Sequence, residues 1–156
     1  MKALKNFITE SAQPEFVKKV IELAKKEGIE TKIENMSEND KLVFIPPKYR
    51  YSQVGIVWKN GGKLERIPRT LYSSSQFDNE PLYIKITGWD VKEDSQTKLL
   101  SKDLFNNLSK EGLTEATNGK NPQWGTWKFA IRSEEDENKV LKHLKSYLKA
   151  LKKAKN

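Results

Sequence analysis

The sequence predicts an α+β domain, with a largely antiparallel sheet of about five or six strands, a usual sheet size, packed against N- and C-terminal amphipathic helices. Three observations lead there. Short runs of alternating apolar residues follow one another through the middle of the chain with few helical patterns between them, which favours a meander over βαβ units. Helical stripes stand near both ends. Near the C-terminus a strand passes into a capped helix within two residues. The 156 residues are read as one domain, a normal size for a chain of this length, with 1–10 a short frayed turn carried by Leu4, Phe7 and Ile8.

In chain order, Pro14 suits the first position of a helix whose stripe is Phe16, Val17, Val20, Ile21 and Ala24, closed by Gly28. Ile29, Thr31 and Ile33 alternate into a strand, 35–40 is a polar turn, and 41–45 is an apolar strand stopped by Pro46-Pro47. Val54, Ile56 and Trp58 alternate up to Asn60-Gly61-Gly62, which supplies hairpin turn chemistry, and 63–67 is the expected return strand. The Ser-rich 72–79 stretch reads as a loop, and Leu82, Ile84 and Ile86 mark a further strand. Leu99, Leu100, Leu104, Phe105 and Leu108 mark a helix closed by Gly112, with 114–123 a loop. Trp127, Phe129 and Ile131 form the last strand. Ser133 caps the last helix, Glu134, Glu135 and Asp136 complement its positive end, and Val140, Leu141, Leu144, Tyr147, Leu148 and Leu151 make its stripe.

Composition narrows the chemistry. Without Cys there is no disulfide, thiolate metal site or cysteine nucleophile, and the single His143 gives no histidine cluster. The sequence offers no cofactor motif: Gly61-Gly62 is a turn, not a phosphate loop leading into a helix. No metal, no cofactor and no catalytic set is therefore expected, and the balance is against an enzyme. No apolar run has the length to span a bilayer and 1–10 is too polar for a signal peptide, so the expectation is a cytoplasmic protein with no membrane partner.

The net charge of +8 is unevenly placed. Seven lysines follow Glu137, the last acid, and between 48 and 72 six basic residues face only Glu65. That second segment interleaves Lys48, Arg50, Lys59, Lys63, Arg66 and Arg69 with Tyr49, Tyr51, Trp58 and Tyr72. Cations that neutralise phosphates and flat rings that stack on bases are what a nucleic-acid surface needs. The ordinary reading is a core Trp58 and cations that protect a hairpin edge. On the first reading Lys59, Lys63, Arg66 and Arg69 hold phosphates while Tyr49, Arg50 and Tyr51, beside Lys48, stand nearest the bases. Lys142, Lys145, Lys149 and Lys152 on the last helix are further phosphate candidates, although a solvated helix face is the commoner role.

One resemblance concerns the last quarter of the chain. The run Trp124-Gly125, Phe129, Ile131, Ser133-Glu134-Glu135-Asp136, Val140-Leu141 and Leu144 resembles the ending of small domains attached to restriction-type or defence-associated nucleases. The resemblance implies a nucleic-acid context and transfers no functional residue.

The expected function is a nucleic-acid-binding module, with DNA the expected partner, contacting phosphates through the basic and aromatic 48–72 hairpin. Two alternatives stand beside it. Asp78, Asp90 and Lys92 imitate the acidic-x-Lys set of a metal-dependent nuclease, although Glu93-Asp94-Ser95 breaks the strand context that set needs. A non-enzymatic accessory subunit would instead present the same basic surface to an acidic protein partner.

Overall fold

The computed structural model describes residues 13–35, 39–46, 54–59, 80–87, 96–118 and 126–154. Helix α1 spans Glu15–Lys26, followed by strands β1 (Glu30–Asn35), β2 (Asn39–Ile45), β3 (Val54–Lys59) and β4 (Leu82–Thr87). Helix α2 (Gln96–Ser109) leads to β5 (Glu115–Asn118) and β6 (Thr126–Ala130), and α3 (Glu134–Lys153) follows. The strands form one six-stranded sheet in the order β1-β2-β3-β4-β6-β5, with every neighbouring pair antiparallel. This is the α+β class expected, a meander of four strands extended by a helix crossover. After β4 the chain passes through α2 to the far edge, and β6 returns between β5 and β4.

Local chemistry sets the ends of α1 and α3. At the end of α1, Gly28 takes φ 78°, a conformation other residues adopt at a cost. Its N–H donates to the Lys25 carbonyl at 3.1 Å and the Ile29 N–H to the Ala24 carbonyl at 2.9 Å, so the chain turns directly into β1. The Lys152 ammonium, from the last turn of α3, donates to the Gly28 carbonyl at 3.1 Å. At the start of α3, the Ser133 hydroxyl accepts from the Asp136 N–H at 3.1 Å, and the Asp136 carboxylate accepts from the Arg132 N–H at 3.0 Å. Ser133→Ala removes this helix-end acceptor and should lower stability by about 1 kcal/mol. A denaturation midpoint equal to that of the parent would refute the cap.

All three described helices cover the same face of the sheet. Phe16, Val17 and Val20 of α1, Leu104 and Leu108 of α2, and Val140, Leu144 and Leu148 of α3 are buried with Leu42, Phe44, Ile56, Trp58, Ile84, Ile86, Trp127 and Phe129. Helix α3 lies in the middle of the layer, packed against both α1 and α2. The Phe105 ring sits 4.8 Å from that of Trp127 and 5.8 Å from that of Phe129. Arg132, just after β6, ties the edge together. Its Nε donates to both carboxylate oxygens of Glu80, at 3.1 and 3.3 Å, and its Nη1 to the Thr114 hydroxyl at 3.3 Å.

Two expectations about strands change. Strand β3 pairs with β2 along one edge and with β4 along the other, so no edge of 54–58 is left for a return strand; residues 63–67 themselves lie outside the described residues. The Asn60-Gly61-Gly62 signal is local, whereas the neighbours of β3 are chosen by burial of its whole length between two apolar strands. The 114–123 stretch, expected to be a loop, contains β5, a four-residue edge strand. Its Glu-Ala-Thr-Asn sequence has no apolar alternation. The strand is held by pairing with β6 and by the Ala130 N–H, which donates to the Thr114 carbonyl at 2.8 Å.

Candidate nucleic-acid interface

Of the eight expected contact residues only Lys59 lies among the described residues; Lys48, Tyr49, Arg50, Tyr51, Lys63, Arg66 and Arg69 lie outside them. So do the nuclease candidates Asp78, Asp90 and Lys92. Trp58 is a core residue, 1% exposed on the helix-covered face, and serves no contact surface. Lys59 ends β3, half-buried, on the opposite face, and its N–H donates to the Pro81 carbonyl at 3.1 Å.

That opposite face, which no described helix covers, is built by the two-residue period of the strands. Wherever a core residue points to the helices, its sequence neighbour points away. Lys41 precedes Leu42, Lys85 lies between Ile84 and Ile86, and Lys128 lies between Trp127 and Phe129, so all three lysines emerge on the helix-free side. The register then brings them together. Lys85 stands directly opposite Lys128 on β6, and on its other side directly opposite Gly55 on β3. Lys41 stands opposite Val57 on the neighbouring row, and its side chain leans across Gly55: a Cβ there would lie 2.7 Å from Lys41 Cε. Gly55 thus leaves the space through which Lys41 reaches towards Lys85.

The floor of this arrangement is apolar. Val57, Tyr83 and Ala130 form a second buried cluster, with Val43 buried beside it. The Lys128 ammonium stands 5.4 Å from the centre of the Tyr83 ring, within cation–π range. The three lysines are half-buried, so their stems lie along the floor. Burial, the Lys41 charge and then the Lys128 charge hold the Lys85 ammonium below the usual lysine pKa. Among the described residues, acids on this face are confined to β1 at the edge, where Glu34 is paired in register with Lys41 and Glu30 with Ile45. Like charges placed directly opposite on a sheet oppose folding.

The lysines of α3 are arranged differently, because several are used within the fold. Lys152 donates to the Gly28 carbonyl, and Lys139 bonds the Glu111 carbonyl at 3.0 Å and pairs with Glu135 at 3.3 Å. Glu111 also takes the half-buried His143 Nε2 and, at 3.3 Å, Lys142, contacts that hold its carboxyl below the usual carboxylate range. His143 therefore fastens α3 to the turn after α2. Lys19 of α1 pairs with Glu137 at 3.3 Å. Lys145, Lys149 and Lys153 are the exposed remainder among the described residues.

Comparison of the chain with models of known protein families, with curated proteins and with solved structures finds no match. Among the described residues no three His, Asp or Glu side chains are grouped to hold a metal ion, and no helix is long and apolar enough to cross a membrane. Sequence reasoning missed Lys41, Lys85 and Lys128. Each occupies a polar slot in an alternating strand, where lysine is unremarkable, and only the register makes them neighbours. The available signal was three strands with a lysine flanked on at least one side by a large apolar residue.

Proposed function

We propose that the protein is a nucleic-acid-binding module that takes the phosphate backbone of DNA on the helix-free face of its sheet. The observation that supports this reading is the convergence of the half-buried Lys41, Lys85 and Lys128 around Gly55 over a buried apolar floor, with Lys59 on the same face. Basic groups spaced along a surface replace the counterions of a phosphate backbone, and their release drives association. The net charge of +8 extends the attraction beyond contact distance. The sheet face is added to the 48–72 surface expected from the sequence, whose contact residues other than Lys59 lie outside the described residues.

The test is the salt dependence of binding to a DNA duplex and to a single strand. Affinity should fall steeply with added salt. Neutralising Lys41, Lys85 and Lys128 together should weaken binding to all sequences alike, and flatten the log–log slope by about one unit for each phosphate no longer held, about three at most. Neutralising Lys145, Lys149 and Lys153 on α3 is the control and should change the slope far less. A larger effect from the α3 set would place the contact surface on the helices. Absence of binding to either DNA at low salt would refute the reading.

A further inference from the structure

The helix layer carries a second basic surface, built differently from the sheet face. Lys19 of α1 pairs with Glu137 at the start of α3, and Lys152 at the end of α3 bonds the Gly28 carbonyl just past the end of α1, so the two helices run parallel. In the crease between them lies an open groove of about 560 Å³. Its apolar floor is Leu23 of α1 and Leu141 of α3, each half-buried against the edge of the core. On α1, Lys19 and Lys26 stand one turn to either side of Leu23; on α3, Lys145 stands one turn beyond Leu141, with Lys142 beside it. These four lysines are exposed, and the only acid lining the groove with them is Glu22. Lys19 and Lys142 are shared with Glu137 and Glu111, whereas Lys26 and Lys145 have no ion-pair partner among the described residues.

We propose that the groove between α1 and α3 docks an acidic amphipathic helix of a protein partner. Charge complementarity sets the sign of the occupant, and the two leucines set its second requirement. A phosphate backbone would meet the lysines but bring nothing apolar to cover Leu23 and Leu141. A helix laid along the crease offers apolar side chains at i, i+3 and i+4 to the floor, and carboxylates on both flanks to the lysines of α1 and α3. The lining from Lys19 to Lys26 covers two turns, roughly 10 Å, enough to engage two or so turns of such a helix. An extended peptide fits less well, because the crease offers no strand edge to pair its backbone groups. A second copy of this chain would bring the same lysines against these, and the 1–12 segment carries Lys2 and Lys5 against Glu10, so both have the wrong sign. Lys41, Lys85 and Lys128 are on the other side of the sheet, so docking here is independent of the nucleic-acid reading.

The probe is a fluorescein-labelled helical peptide with one leucine stripe flanked on both sides by glutamates, titrated with the full chain and read by anisotropy. A peptide of the same composition with the stripe scrambled is the control and should bind roughly tenfold more weakly. Lys26→Glu combined with Lys145→Glu should weaken binding of the striped peptide roughly tenfold, and should favour a peptide in which lysines replace the glutamates. Both side chains are exposed and serve no described contact, so the variant should fold, which circular dichroism checks. In methyl NMR of the parent, Leu23 and Leu141 should be the leucines whose signals move most. Replacing Lys41, Lys85 and Lys128 should leave peptide affinity unchanged, whatever it does to DNA binding. No binding of the striped peptide at low salt overturns the proposal. Equal binding of the scrambled peptide also overturns it, since charge alone would then be at work. Single-stranded DNA or phosphatidylglycerol vesicles that move the same methyl signals and displace the peptide would assign the groove to nucleic acid or to a membrane surface, and either result overturns the protein partner.

Discussion

Phe129→Ala should lower stability by about 3–5 kcal/mol, the range for removing a large aromatic from a packed core. Phe129 is fully buried in β6, opposite Ile84 on β4 and Glu115 on β5. Its ring faces Phe105 of α2 at 5.8 Å, so one side chain joins the sheet to the crossover helix. Truncation leaves a void that the antiparallel backbones on either side cannot close, because their hydrogen bonds hold the spacing of the strands. Since domains of this kind are stable by only ~5–15 kcal/mol, the variant should stay folded but unfold at much lower denaturant. Chemical denaturation with an unchanged m-value checks it. A loss under about 1 kcal/mol would mean that the ring is not in the core.

The features legible in the sequence are those whose signals are local. The Ser133 cap, the first-turn acids and the stripe from Val140 to Leu151 describe α3 as it is. Gly28 ends α1 through its own dihedral angle. Alternation in 54–58 and 82–86 gives two strands and tells which of their residues face the helices. Pairing is another matter, because it is decided between segments far apart. Asn60-Gly61-Gly62 argues for a hairpin on β3, while β2 and β4 occupy both edges. Nothing in Glu115–Asn118 announces a strand, and only β6 beside it makes one. The lysine cluster is hidden for the same reason. Lys85 and Lys128 are 43 positions apart in the chain and directly opposite in the sheet. Charge weighed by runs of sequence points to 48–72 and the last helix, where lysine and arginine are densest, and passes over lysines that occur singly.

Replacing Lys85 by Met should make the protein more stable, by about 0.5–2 kcal/mol at neutral pH, the gain commonly available where function opposes stability. Met keeps an unbranched stem of similar length along the Val57 and Tyr83 floor, so packing changes little. It removes a cation that burial, Lys41 and Lys128 all disfavour. Half-exposure keeps the gain modest, since water still screens the ammonium. The pH dependence fixes the cause. A lysine whose pKa is lowered by folding binds its proton more weakly in the folded chain than in the unfolded one. Below the lowered pKa both states are protonated and the cost of the buried charge is felt in full. As pH rises from there to the ordinary lysine value the unfolded chain holds more protons, so the stability of the parent climbs. The Met variant lacks that climb, and its advantage should therefore be greatest at neutral pH and shrink in alkali. Denaturation midpoints measured from neutral to alkaline pH decide the matter. If the variant is less stable than the parent at neutral pH, the Lys85 ammonium is satisfied by its surroundings, and the lysine cluster is not held against a cost in stability.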